Sequence, residues 1–341
     1  MWLRNCWQVA AFTTEVIGGE LFPRRILDEP IVFFRARDGR VVAFQDRCPH
    51  RYAPLSKGTL IGENVRCMYH GLTYGPYGKC VAIPGQDRIP VKAFVRTYPV
   101  VERYKLVWIW MGDPERADPS LVPDVHWMDS PCWVAAEGYH HVAANYKLLN
   151  DNLLDLSHET YVHGKTIGHD SVAETPIAFR TEGSAVYVDK EMTACNPPPF
   201  YQYLARISAA DKVDRWQHTV YIPPGYIVID VGVQPLEPVP GSNRVDGRVI
   251  DLITPETPTS SHYFWAFARN FRLDEIAVTE FLRENVRRTF DEDKEMLEAQ
   301  QRIIGPVTDP VFQLTIRADA GPTQGRRLLA SLIEVEARGS A

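Results

Sequence analysis

The stretches CPHR, residues 48–51, and CMYHG, residues 67–71, each carry one cysteine and one histidine, and sixteen residues lie between His50 and Cys67. The first pair reads CxH and the second CxxH. Thiolate sulfur and imidazole nitrogen together bind either zinc or an iron–sulfur centre. In one type of [2Fe–2S] centre two histidines replace two cysteines on one of the irons, which raises its potential. Cys48, His50, Cys67 and His70 supply that set, each loop giving one thiolate to one iron and one imidazole to the other. A structural zinc site accepts the same ligands. Zinc fingers, however, keep both cysteines in one pair and both histidines in the other. The interleaving here, with Gly58, Gly71, Gly75 and Gly78 around it, favours iron and sulfide.

His126, His140, His141, His169, His218 and His262 are scattered, and such histidines more often serve the surface or a satisfied core than a metal. His158 and His163 differ, because they close the stretch DNLLDLSHETYVH. Leu148, Asn152, Asp155 and His158 follow i, i+4, i+7, i+10 and share one helical face. An offset of five is wrong for neighbours on a straight helix, so the helix is predicted to end or bulge between the two histidines. Two histidines and one carboxylate are the ligands of non-haem Fe(II) oxygenase sites, which keep positions open for dioxygen and substrate. The carboxylate comes from the last long helical segment, where Leu282, Val286, Phe290 and Leu297 form an apolar stripe. Counting about 100° per residue from Val286, Asp293 falls about 20° off the stripe, whereas Asp291 and Glu292 fall about 140° and 240° away. A lone inward carboxylate is costly unless it is paired or binds a metal. Periodicity therefore selects Asp293 and sends its acidic neighbours to water.

These groups need two scaffolds, and 341 residues with 45% apolar and 23% charged content are enough for two ordinary globular domains. From Pro30 to Pro99 short β-branched runs such as IVFFRA and VVAFQDR alternate with Gly, Pro and Asp, the pattern of a small antiparallel β domain with the cysteine–histidine loops in its breaks. YPVVERYKLVWIWMGDP reads as a last strand pair, and the proline-bounded stretch that follows places the boundary near residue 118. The domains are thus 1–117 and 118–341. In the second, residues 145–163 read as helix, 184–270 mostly as strands and 273–303 as a long helix, with a polar tail after Gly325 only partly ordered. The fold class is α+β. A net charge of −6 without a basic run excludes a phosphate-tracking nucleic-acid surface, and no run reaches the roughly 18 apolar residues of a membrane span. Six cysteines are too sparse for a disulfide scaffold, which suits a reducing, cytoplasmic setting.

CPHR, sixteen intervening residues and CxYHG resemble the Rieske domain of the Rieske non-haem iron oxygenases, with Met68 where many relatives have proline. The pattern D-x-x-H-x₄-H and a late Asp beside acidic and basic residues match Asp155, His158, His163 and Asp293, so the resemblance covers nearly the whole chain. It implies an antiparallel Rieske domain followed by a catalytic domain of antiparallel sheet flanked by helices, helix-grip-like. It implies that Asp155 bridges an iron-ligating histidine to a Rieske histidine, His70, of the neighbouring subunit in a head-to-tail ring, usually a trimer. Asn152 is implied as a hydrogen bonder near the iron.

Within that family, RNCWQVAAF, NYKLLNDNLLDLSH and TPETPTSSHYFW look like the oxygenases of methoxy- and methyl-substituted aromatics, such as the vanillate O-demethylase and toluenesulfonate methyl-monooxygenase types. The implied activity is hydroxylation of a methyl carbon with O2, and for a methyl ether release of a phenol and formaldehyde. The alternatives are methyl hydroxylation of an aryl sulfonate and, outside catalysis, a Rieske electron carrier or sensor without mononuclear iron. Electrons would come from NADH through a separate flavin and iron–sulfur reductase, since the chain has no GxGxxG after a strand and no flavin motif. By resemblance, IVIDVGVQP and VIDLITPE line the iron pocket, with Asp230 and Asp251 as pocket candidates and Arg206, Arg248 or Arg269 as possible partners. Two ionised aspartates there would repel an anionic substrate. Each could equally satisfy backbone at a strand end.

Overall fold

The computed structural model describes residues 1–164, 166–307, 309–310 and 312–339. The chain divides into two compact units between Asp124 and Val125, inside the proline-bounded stretch ADPSLVPDV.

The first unit is built from three small antiparallel sheets. The one that matters for chemistry has the strands Thr59–Ile61, Asn64–Arg66, Thr73–Tyr74 and Cys80–Ala82 in that order. Strands this short cannot carry a core of their own. They close instead over Val32, Phe34 and Phe44 from a neighbouring sheet, in a cluster that also takes in Cys48, Cys67 and Tyr74. The cysteine loops are therefore pinned at their sulfur ends by hydrophobic packing.

The second unit is a seven-stranded antiparallel sheet in the order Val134–Val142, Ser260–Arg269, Val245–Thr257, Tyr226–Pro235, Val213–Ile222, Ala185–Cys195, Ala178–Glu182. The helix Ile276–Ile304 lies against it and buries Val278, Leu282, Val286, Thr289, Phe290, Asp293 and Leu297. That stripe is the one read from periodicity. Each large apolar side chain in it contributes about 1.5–3 kcal/mol by leaving water, which fixes the helix's rotation and with it the inward direction of Asp293. The α+β fold with helices on an antiparallel sheet is as expected.

Two details differ from expectation. The helix starting at Tyr146, capped by the Asn145 side chain on Lys147 N–H, ends at Leu154, before both histidines. Asp155 stops it, because its carboxylate caps the 3₁₀ turn Leu156–His158 by accepting from Ser157 N–H at 3.0 Å; an aspartate offers the backbone such an alternative to continued helix. Nor is the region after Gly325 loose, for Ala320–Gly339 is one helix. Gly321 and Gly325 let it approach the helix Tyr146–Leu154 closely, since a Cβ on Gly325 would sit 2.7 Å from Leu154 Cδ1. Arg326 then grips Asp151 with Nε and Nη2 at 2.9 and 2.6 Å.

Candidate active site

The two cysteine loops close identically despite their unequal spacing. Cys48 O accepts from Tyr52 N–H at 2.8 Å and Cys48 N–H donates to Ala53 O at 2.9 Å, while Cys67 O accepts from Gly71 N–H at 3.0 Å and Cys67 N–H donates to Leu72 O at 2.8 Å. The fifth residue of each hoop is left-handed, Tyr52 at φ 59° and Gly71 at φ 75°. At Gly71 a Cβ would also stand 2.7 Å from Pro84 Cγ, so only glycine fits.

The hoops bury Cys48 and Cys67 and leave His50 and His70 exposed, with the imidazole centroids 4.6 Å apart. The Cys48 Sγ lies 3.2 Å from the Tyr74 hydroxyl. Burial pushes the Cys67 thiol up, against backbone N–H groups of Tyr69 and His70 that aim at its sulfur. Two neighbouring buried thiols with hydrogen-bond donors in place, and two adjacent imidazoles at the surface, fit a [2Fe–2S] centre with one cysteine-bound and one histidine-bound iron.

In the second unit His158, His163 and Asp293 each offer a ligand atom, all within 4.8 Å of one another. Asp293 Oδ1 is 3.3 Å from His158 Nε2 and 3.1 Å from His163 Nε2. The other ring nitrogens are committed elsewhere. His158 Nδ1–H donates to Asp155 O at 2.6 Å and His163 Nδ1–H donates to Glu292 Oε2 at 2.8 Å. That leaves both Nε2 atoms turned to Asp293, to which their N–H groups donate, and makes Nε2 the nitrogen that would ligate a metal once its proton leaves. Asn152 Nδ2–H donates to Asp293 Oδ1 at 3.1 Å. Burial pulls the His158 imidazole down, but the Asp293 carboxylate and the Asp155 carbonyl outweigh it and hold it at about 9. Burial likewise opposes and Asp293 and Glu292 overcome it in raising His163, and the two imidazoles keep the buried Asp293 carboxyl well below the usual range. A divalent cation can take the place of those protons. The donor set is that of a two-histidine, one-carboxylate iron site with open positions.

Asp291 faces water as expected, its side chain 47% exposed, whereas for Glu292 the expectation needs correction. The Glu292 side chain, 27% exposed, reaches round the helix to His163, and Asp291 Oδ1 accepts from His140 Nε2–H at 3.0 Å. Trp265 Nε1–H in turn donates to His140 Nδ1 at 2.9 Å. Cβ direction alone gave the wrong answer because long carboxylate side chains bend back onto neighbouring elements.

Beside the trio lies a cleft that, with its open mouth included, encloses about 610 Å³ of empty space. Its walls are mostly apolar, with Leu153, Leu156, Ile229, Val231, Phe267 and Phe290 prominent. Of the aromatic residues in the strand-rich region, Phe200, Tyr201 and Phe267 reach it. Asp230 does not. Ile229 and Val231 face the cleft, so pleat alternation turns Asp230 to the opposite face. There it accepts from Trp216 Nε1–H at 2.8 Å and pairs with Arg248 at 3.0 Å. Asp251 shares the parity of the cleft-lining Val249 and is 0% exposed. It is not a lining residue; the Tyr263 hydroxyl donates to its Oδ1 at 2.7 Å and burial pushes its carboxyl up to about 7. Neither Arg206, paired with Glu275, nor Arg269, bonded to backbone carbonyls, serves the cleft. The arginine that does is Arg215, on the strand Val213–Ile222, ion-paired with Glu159 at 2.9 Å. A lone arginine in an alternating strand reads as a surface residue, so only the inward parity it shares with Gln217 and Thr219 hinted at this.

Asp155 and Asn152 line a second, more open pocket that reaches His158 from the side of Met296 and Arg326. No disulfide joins any of the six cysteines, and no described helix is long and apolar enough to cross a membrane.

Residues 6–99 match the Rieske [2Fe-2S] domain family and residues 142–335 match the vanillate O-demethylase oxygenase C-terminal domain. The chain is 44% identical to the iron-sulfur subunit of the toluene-4-sulfonate monooxygenase system of Comamonas testosteroni, over 100% of both chains. It is 41% identical to the vanillate O-demethylase oxygenase subunit of Pseudomonas sp. (strain HR199 / DSM 7063), over 98% of this chain and 96% of the other. Its fold superposes on dicamba monooxygenase bound to 3,6-dichlorosalicylic acid with a TM-score of 0.90 and 33% identity, covering 98% and 99% of the two chains. Both matched domains occur in the order the two compact units have, and the similarity runs end to end: the chain belongs to the Rieske non-haem iron oxygenases, in the group of the vanillate O-demethylase oxygenase subunits.

Proposed function

We propose that this enzyme is the oxygenase component of an aromatic O-demethylase, with residues 1–117 as the electron-storing Rieske domain and 118–341 as the catalytic domain. The observation that carries the reading is the convergence of His158 Nε2, His163 Nε2 and Asp293 Oδ1 at the edge of an apolar cleft. The net reaction is ArOCH3 + O2 + NADH + H⁺ → ArOH + HCHO + H2O + NAD⁺, in which the hydroxylated methyl carbon is a hemiacetal that falls apart to phenol and formaldehyde. A separate reductase delivers the electrons, because no nucleotide-binding motif lies in this chain.

When bound, iron held by His158, His163 and Asp293 supplies dioxygen activation, and the [2Fe–2S] cluster held by Cys48, His50, Cys67 and His70 supplies electrons one at a time. The protein's own part is orientation and exclusion. Asn152 steadies Asp293, while the Asp155 carbonyl and Glu292 keep both imidazoles in the ligating tautomer. Leu153, Leu156, Phe267 and Phe290 line the cleft with apolar side chains that exclude water from a ring bound beside the trio. The Asp155 carboxylate, at the open pocket next to His158, couples that histidine to the partner subunit's His70 in a cytoplasmic head-to-tail trimer. Asp155→Asn is expected to keep both metals yet slow reoxidation of the reduced cluster in a single turnover; normal reoxidation would remove the bridging role.

The reading is tested by formaldehyde release from a panel of methoxyphenols and methoxybenzoates with purified oxygenase, an electron-donating reductase and NADH. A protein that releases no formaldehyde from any methoxyarene but hydroxylates the methyl group of 4-toluenesulfonate would transfer the assignment to the methyl hydroxylases, the activity named for the 44%-identical relative.

A further inference from the structure

The segment that carries the two histidines has little regular structure to hold it. The 3₁₀ turn Leu156–His158 and the helix Glu159–Val162, four residues long, are each too short to keep their shape without outside contacts. After His163 the main chain doubles back, with Thr166 N–H and Gly168 N–H both donating to His163 O at 2.9 Å. A Cβ on Gly168 would stand 2.2 Å from Glu159 O, so the two ends of this loop touch.

Arg215 stands across those ends. From the strand Val213–Ile222 its Nη2–H donates to Glu159 Oε2 at 2.9 Å and its Nη1–H donates to Ile167 O at 3.3 Å. One guanidinium thus ties residue 159 to residue 167, with His163 midway between them. The side chain is 1% exposed and lies over the Tyr201 ring at 5.0 Å. Gln217, two residues along the same strand, donates Nε2–H to the other Glu159 oxygen at 2.6 Å. Lys190, buried on the paired strand opposite Gln217, directs its charge at Glu159 and Asp155 and gives Nζ–H to Val172 O. Two strand-borne cations therefore face the two carboxylates that flank His158. A buried ion pair contributes little net stability compared with well-packed apolar side chains. What the planar guanidinium fork adds, and an apolar side chain lacks, is fixed geometry.

We propose that Arg215 is a positioning residue of the iron site: by bracketing the loop at Glu159 and Ile167 it holds His163, and with it the histidine pair, at the spacing that Asp293 completes. The inference rests on the ligand assignment to His158, His163 and Asp293 and is indifferent to which ring is demethylated.

The test uses full-length protein with its cluster intact and the mononuclear site emptied by a chelator, comparing wild type, Arg215→Lys and Arg215→Met. Arg215→Lys keeps a counter-charge for Glu159 but has no fork to span both ends. It is expected to bind Fe(II) about tenfold more weakly, and Arg215→Met about 10–100-fold more weakly. In the metal-free variants the Thr166 and Gly168 amides should exchange with solvent about tenfold faster or more, while the cluster's visible absorption stays as in wild type. Co(II) loaded into the site reports ligand geometry directly, and its ligand-field bands should shift in Arg215→Lys, a change that a loss of general stability alone does not produce. Should Arg215→Met fail to fold, Arg215→Lys decides alone: wild-type Fe(II) affinity, amide exchange and Co(II) bands in that variant overturn the proposal. The ligand assignment fails separately, in wild-type protein that takes up neither Fe(II) nor Co(II) beyond its cluster, and the bracing role falls with it.

Discussion

Each unit holds a pair of histidines, and the two pairs are treated in opposite ways. His50 and His70 stand exposed on backbone hoops whose cysteines are buried, and what fixes them is main-chain hydrogen bonding and the packing of the sulfur ends. His158 and His163 lie largely out of water, and each is aimed by an acceptor on its second nitrogen. A centre that passes electrons outward needs an edge at the surface and a rigid frame. A centre that binds oxygen beside an organic ring needs direction and dryness. Main-chain turns supply the first and side-chain networks the second, so substitutions should damage the two sites independently.

The strongest test of that independence is Asp293→Ala. Turnover should fall by about 10³-fold or more, iron content should drop from about three to about two per chain, and the cluster's visible absorption should stay intact; retained activity would end the ligand assignment. Glu292→Ala, which removes the acceptor from His163 Nδ1, is expected to weaken mononuclear iron binding by about 10–100-fold, read by competition with a chelator. Tyr74→Phe should do the converse, lowering the cluster's potential by roughly 40 mV through loss of the contact to Cys48 Sγ while mononuclear iron stays bound. An unchanged potential would mean that this hydroxyl does not act on the cluster. The smallest effect concerns Asp251. Its folded pKa near 7 lies above the unfolded value of about 3.9, so the unfolded chain binds fewer protons between those values and stability falls as pH rises through that window. Asp251→Asn removes the dependence and should raise the thermal midpoint at pH 8 by on the order of 5 °C, with no gain near pH 4.

Much of this contrast was readable beforehand. Ligand chemistry is written in residue type and spacing, which is why the cysteine–histidine loops and the pair His158 and His163 stood out. Asp293 was legible because seven residues bring a helix back to almost the same face. What escaped depended on reach and on partners distant in sequence. Glu292 was assigned to water because its Cβ points there, yet its carboxylate bends to His163. Asp230 and Asp251 were treated alike although strand parity relative to Val249 and Ile229 separates them. The interruption at Asp155 was expected several residues later, since helical periodicity continues formally through a residue that caps a new turn. Arg215, Gln217 and Glu159 form a wall only once a strand and a turn more than fifty positions apart are brought together.

Asp291, Glu292 and Asp293 are consecutive on one helix, and each holds a histidine supplied from elsewhere in the chain. Sliding or rotating that helix by a single turn would unseat all three contacts at once, so the centre has no half-built state along that coordinate. The three contacts therefore stand or fall together with the seating of that one helix.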